Sequence, residues 1–190
     1  MNKVQTDNDY FFDKVCLRLN NLPAKKEIIV LDMFSGRGRI WEKIRELSLD
    51  KKIVVLRVDK KKSGDKFNLV GDNRKFFSSL VEKCDIIDLD SYGVPFFQLE
   101  QVFDFFEKEK REYDVIVFVT FIQSMIGELP IKLLERVGFA RKMVKKCPTL
   151  FFKNGLKLFR QYLAINGVRK ILRKSVARKH YICFRLKKCS

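Results

Sequence analysis

Short apolar runs alternate along this chain with longer stretches in which apolar residues recur every three or four positions. Residues 28–31 (IIVL), 53–58 (IVVLRV), 85–89 (DIIDL) and 115–119 (VIVFV) are apolar runs of strand length, and 67–70 (FNLV) is a weaker one. Between them, residues 40–49 set Ile40, Ile44 and Leu47 on one helical face. Residues 74–83 do the same with Phe76, Phe77, Leu80 and Val81, and 96–110 form a longer helical stretch. A helix over 9–17 comes first, with Asp9 where a cap would sit, and Asn20-Asn21-Leu22-Pro23 stops it.

Strands that are apolar throughout, joined by helices, predict a parallel sheet covered on both faces. Beyond residue 127 the pattern predicts helices over 129–146 and 149–164, with Pro130 and Pro148 limiting their starts. Residues 168–172 and 181–186 (YICFRL) then read as two closing strands around a basic turn, 173–179. No repeat or linker-like segment interrupts the order. One domain over 1–190 is expected, with 1–24 as a helical lead-in and 128–190 as a basic part that closes the sheet.

Composition narrows the class. Of the 190 residues 46% are hydrophobic, 18 of them Phe, which is enough for a sizeable core and excludes global disorder. The longest apolar run, 115–122, is far below the ~18 residues of a membrane span. The first ten residues carry no apolar stretch of a signal peptide. A soluble, cytoplasmic protein is expected. Five scattered cysteines suit a reducing compartment. With no CxxC or CxxH pair and His180 as the one histidine, neither a metal site nor a Ser–His or Cys–His pair is expected.

Charge changes the picture more. The net charge is +17, and residues 1–140 hold 24 Lys and Arg against 23 acids. Residues 141–190 hold 16 Lys and Arg and no acid, interleaved with Phe151, Phe152, Leu158, Phe159 and Tyr162. A folded basic surface of this kind attracts polyanions by neutralising phosphates and releasing counterions. Lys142, Lys145, Lys146, Lys153, Lys157 and Arg160 fall at spacings of three, four and seven. They are the expected nucleic-acid-binding residues, with RNA preferred as partner and no membrane partner.

The candidate chemistry begins at residues 29–39. A strand, Asp32, Gly36, Gly38 and a helix start follow in that order, where open parallel sheets bind ligands. Trp41 occupies the position at which a dinucleotide fingerprint needs a third small residue, and no Gly-Lys-Ser/Thr follows, so NAD is disfavoured and a P-loop excluded. The line Val-Leu-Asp-x-Phe-x-Gly-x-Gly (30–38) instead resembles the first motif of the class I S-adenosylmethionine-dependent methyltransferases. The resemblance covers roughly residues 28–120. It implies an α/β, Rossmann-like, doubly wound and mostly parallel seven-stranded sheet, with S-adenosylmethionine as cofactor. It further implies that Gly36 and Gly38 pass beneath the cofactor's methionine part, that Asp32 and Phe34 also bind the cofactor and that Asp59, 21 positions after Gly38, takes its ribose hydroxyls. Asp72 and Asn73, at the end of the third strand, would lie by its adenine.

At the end of the fourth strand, Asp88-Leu89-Asp90-Ser91-Tyr92-Gly93-Val94-Pro95 is similar to the motif of the tRNA guanine N2-dimethyltransferase family. Asp88, Asp90, Tyr92, Gly93 and Pro95 match, Ser91 stands where that family has proline, and Val94 replaces a small polar residue. The resemblance implies Asp90, Ser91 and Tyr92 as catalytic residues, with Asp90 also facing the cofactor. The residue types suit the task. An exocyclic amine delocalises its lone pair into the ring, and a carboxylate accepting its N–H localises that pair and stabilises the developing positive charge. A tyrosine can stack on an extruded base.

The expected activity is therefore methylation of a base nitrogen in RNA, with the guanine amine in tRNA first. A DNA amino-methyltransferase stands second, although it normally needs a separate recognition segment. A catalytically silent nucleic-acid-binding module stands third. The charge distribution argues against a small-molecule methyltransferase.

Overall fold

The computed structural model describes residues 10–60, 68–91, 93–108, 114–122, 131–147, 153–176 and 178–187. In chain order the strands are β1 (Glu27–Asp32), β2 (Lys52–Asp59), β3 (Asn68–Val70), β4 (Ile86–Leu89), β5 (Val115–Ile122), β6 (Ile171–Val176) and β7 (Lys179–Leu186). The helices are α1 (Phe11–Leu19), α2 (Arg39–Leu47), α3 (Asn73–Leu80), α4 (Phe96–Lys108), α5 (Ile131–Arg136), α6 (Arg141–Lys146) and α7 (Gly155–Ile165). One sheet takes all seven strands in the order β3-β2-β1-β4-β5-β7-β6. The first five are parallel, and β7 runs antiparallel between β5 and β6.

Successive side chains of a strand point to opposite faces, so each central strand feeds two cores. Ile28 and Val30 of β1, Ile116 and Phe118 of β5 and Cys183 of β7 pack with Val15 of α1 and with Trp41 and Ile44 of α2. Leu31, Val117, Val119, Phe121, Ile182 and Phe184 pack on the other face with Phe77 of α3, Leu99 and Phe103 of α4, and Phe159 of α7. The double coverage explains why these strands lack polar alternation. Tyr162 of α7 donates to Glu100 of α4 at 2.5 Å, and the Phe159 ring stacks on Phe121 at 4.8 Å.

Several boundaries depart from the sequence expectation, among them α7, which starts at Gly155, and β7, which starts at Lys179, and three more have a visible cause. The helix expected over 129–146 is two short ones, α5 and α6, separated by a turn at Val137 and Gly138. The strand expected at 168–172 is β6 at Ile171–Val176, and residues 177–178 alone separate it from β7. Arg173 and Lys174 are strand residues because β6 lies at the sheet margin, where its side chains face water and carry no apolar signal. Val168 instead donates its N–H to Leu163 at the end of α7. Finally, β5 runs three residues past its expected end, to Ile122, because all eight of its positions pair with β7.

Candidate active site

The sheet order reverses between β1 and β4, and the ends of β1 to β4 carry the acids. Residues Asp32 and Asp88 are register partners across that junction, and Asp90 follows β4 directly. A crevice opens at such a switch point because the chain leaves the two strands in opposite directions.

The glycine turn after β1 is pinned to β2. The Ser35 N–H donates to Val58 O at 3.2 Å, and the Gly36 N–H donates to Asp59 Oδ2 at 2.9 Å. Gly36 (φ 51°) has open space where a Cβ would point, whereas Gly38 (φ 71°), the residue before α2, lies against the guanidinium of Arg57. A side chain at 38 would displace that guanidinium, which pairs with Glu42 at 3.0 Å. Phe34 is partly buried against the core.

At β3, Asp72 caps α3 by accepting from the Arg74 N–H and also binds the Arg74 guanidinium. Those bonds hold its carboxyl well below the usual range. The buried Asn73 amide donates to Met33 O at 2.7 Å and accepts from Gln98 Nε2 at 2.9 Å. It ties the third strand's end to the glycine turn and to α4.

The deepest feature is a cluster of three carboxylates. Asp88 is 1% exposed and receives both Nε and Nη2 of Arg18 at 2.6 Å, with the Trp41 indole N–H at 2.8 Å. Burial opposes the charge on Arg18, and the carboxylates of Asp88, Asp90 and Asp32 together more than offset it, Asp88 foremost. Asp90 receives Lys14 Nζ at 2.7 and 2.9 Å and the Thr120 hydroxyl at 2.5 Å. Burial pushes its carboxyl up, but the charges of Arg18 and Lys14 and the bonds from Lys14 and Thr120 hold it below the usual value. Asp32 accepts from the Phe34 N–H at 3.3 Å. Burial, then the neighbouring Asp88, raises its carboxyl well above the usual range. One cluster thus keeps an ionised acid, Asp90, beside one biased towards its neutral form, Asp32.

Two buried hydroxyls at the same strand ends, Ser35 Oγ and Ser91 Oγ, have no hydrogen-bond partner among the described residues. Unpartnered buried hydroxyls, together with the open face of Gly36, fit a polar ligand in the crevice. Tyr92 lies outside the described residues.

Lys14, Arg18, Trp41 and Thr120 were not expected at the site. A signal for two of them existed: Lys14 and Arg18 are four apart on the face of α1 that also carries Phe11 and Val15. A basic pair on the apolar stripe of a helix needs buried acids to meet it.

All six expected nucleic-acid contacts, Lys142, Lys145, Lys146, Lys153, Lys157 and Arg160, are exposed on or beside α6 and α7. Cys16, Cys147 and Cys183 are free thiols, the Cys84 thiol donates to Leu80 O at 3.0 Å, and no cluster of potential metal ligands occurs among the described residues. His180 accepts or donates at Ser175 Oγ (2.9 Å) and stacks on Phe121. Among the described residues no helix is long and apolar enough to cross a membrane.

No family model and no curated protein matches the chain in sequence. In structure it is similar to the precorrin-6y C5,15-methyltransferase of Geobacter metallireducens GS-15, with a TM-score of 0.52 and 12% identity over 99% of this chain and 93% of that one. It is also similar to the CurJ carbon methyltransferase, with a TM-score of 0.50 and 11% identity, over 90% of this chain and 53% of that one. The strand order, the antiparallel β7 and these likenesses agree: the chain has the Rossmann-like, seven-stranded fold of the class I S-adenosylmethionine-dependent methyltransferases.

Proposed function

We propose that this protein is an S-adenosylmethionine-dependent methyltransferase acting on a base nitrogen of RNA, the exocyclic amine of guanine in tRNA being the substrate that its motif favours. The observation that carries the reading is Asp90, an acid held ionised at the end of β4 by Lys14 and Thr120. A carboxylate accepts about four hydrogen bonds, and Lys14 and Thr120 supply three, so one site remains for an incoming N–H. That acceptor stabilises positive charge on an amine nitrogen as a bond to carbon forms.

The cofactor, when bound, supplies an electrophilic methyl group on sulfonium sulfur. The residues of this chain that would hold it are Gly36, with its open face, Asp59, and the Ser35 and Ser91 hydroxyls. The Asp59 carboxylate already accepts the Gly36 N–H at the end of β2, and a carboxylate is an acceptor suited to vicinal hydroxyls. Support for a nucleic-acid substrate comes from the basic helices α6 and α7 and from the motif at residues 88–95.

The test is mass spectrometry of nucleosides after incubation of RNA and DNA with the protein and methyl-labelled cofactor. Label on guanosine from tRNA is the expected result. Label in DNA alone replaces the RNA reading by the DNA one. Calorimetric cofactor binding without transfer to either nucleic acid overturns the enzymatic reading in favour of a binding module.

A further inference from the structure

The charge that remains after α6 and α7 is concentrated on the β6–β7 hairpin. Arg169, Lys170, Arg173, Lys174, Arg178, Arg185 and Lys187 lie on it or beside it, all of them exposed. Its position follows from the register. β7 begins opposite the end of β5, with Ile122 facing Lys179 and Thr120 facing Tyr181, so the hairpin tip returns to the end of the sheet that bears Asp90. Thr120 is the residue whose hydroxyl Asp90 accepts, and Lys14, the other donor, has its Nζ 5.4 Å from the Tyr181 ring. The tip and the carboxylate share neighbours.

The tip is also anchored. Lys174 pairs with Asp13 of α1 at 3.2 Å, and Lys179 Nζ lies 5.4 Å from the ring of Tyr10. Those contacts put Lys174 on the α1 side of the sheet, whereas α7 covers the opposite side. Arg173 projects to the face opposite Lys174, because neighbours on a strand alternate. Cations on both faces of a marginal strand can follow a flexible polyanion along that margin, and residues 141–190 themselves contain no acid.

We propose that the β6–β7 hairpin tip, through Arg173, Lys174, Arg178 and Lys179, is a second phosphate-binding surface that leads single-stranded RNA past Asp90. The proposal rests on the reading of RNA as the substrate. The two basic surfaces then flank the crevice, with α6 and α7 on one side of the sheet and the hairpin at its margin.

The experiment uses the variant Arg173→Glu/Arg178→Glu, since neither arginine makes an ion pair among the described residues and the anchored Lys174 and Lys179 stay intact. Fluorescence anisotropy with a labelled single-stranded RNA is followed across a salt series. The expected result is binding weaker by about tenfold or more at low salt, with the slope of log affinity against log salt reduced by about 1.4, two contacts at ~0.7 each. An unchanged slope overturns the proposal. So does an effect confined to vesicles of phosphatidylserine and phosphatidylcholine with RNA binding intact, which would make the hairpin a membrane surface. Methyl transfer is measured separately. Wild-type protein that methylates RNA while the variant keeps its slope sinks the hairpin and spares the reaction. Wild-type protein that methylates no RNA, with RNA binding weakened in the variant, does the reverse.

Discussion

Asp59 pins the Gly36 N–H, and on the proposed function its carboxylate also receives the ribose hydroxyls of the cofactor. Asp59→Ala is expected to weaken S-adenosylmethionine binding by roughly 1.5–3 kcal/mol, the size of a hydrogen bond to a charged group. Asp59→Asn, which keeps one acceptor for Gly36, should lose less, and calorimetry on the two folded variants gives the comparison. Equal affinity in wild type and Asp59→Ala would remove Asp59 from the cofactor site. Lys14 is a positioning residue acting through Asp90. Lys14→Met removes a charge and two donated bonds, so the Asp90 carboxyl should rise and the acid limb of the kcat–pH profile should move to higher pH. Lys14→Arg should restore part of the profile, and a limb that stays in place would sever Lys14 from Asp90. Asp32 behaves in the opposite sense. Its folded carboxyl titrates above the unfolded value, so between the two the folded state binds more protons and stability falls as pH rises. Asp32→Asn is therefore expected to be more stable than wild type at neutral pH, with the gap closing as pH drops towards ~4, in urea titrations at both pH values. No gap at neutral pH would mean that Asp32 is ionised without cost. The strand-end positions of Gly36, Gly38, Asp59 and Asp90 were legible in the sequence because the local pattern marks where each strand stops. Lys14 and Thr120 were not, because they meet Asp90 only after α1 and β5 pack, from 76 and 30 positions away.

Among the elements, α1 is the one whose role exceeds its sequence signal. A short helix with a proline soon after it reads as a lead-in, yet Arg18 passes through the sheet's apolar face to Asp88, with its guanidinium carbon 5.2 Å from the Phe118 ring centroid. Truncating one partner of a buried pair leaves the other charge without compensation, and Arg18→Met should cost about 3–5 kcal/mol in denaturant unfolding. Adding Asp88→Asn to it should recover part of that loss, since the stranded carboxylate disappears. A cost below about 1 kcal/mol would show that water reaches Asp88 in the variant. The central strands were legible because a strand buried on both faces is a continuous apolar run. The bounds of β6 were displaced towards 168–172 because most of its side chains face water, and the α5–α6 break was missed because it depends on one turn rather than on periodicity.

For the molecule as a whole, the uneven charge sets the response to ionic strength. Forty basic residues against 23 acids repel one another across the folded surface, while the Arg18–Asp88 pair is too deep for ions to screen. The thermal midpoint should rise by a few degrees between low and moderate salt, and further with a soluble polyanion, in differential scanning calorimetry. A midpoint that falls with salt would mean that surface ion pairs outweigh the repulsion. Fold class was readable at this scale from the order of runs alone, because parallel strands need long crossovers and few architectures satisfy both. The strand at the open margin has a further consequence. Among the described residues no strand pairs with the outer edge of β6, whose backbone donors and acceptors invite a second copy to extend the sheet, and β6 carries Arg173 and Lys174 in its middle. Like charges keep two such margins apart, so solubility and grip depend on the same side chains. Neutralising them exposes a template for self-assembly, and variants that lose Arg173 and Lys174 together should form sheet-extended aggregates at concentrations where the native chain stays dispersed.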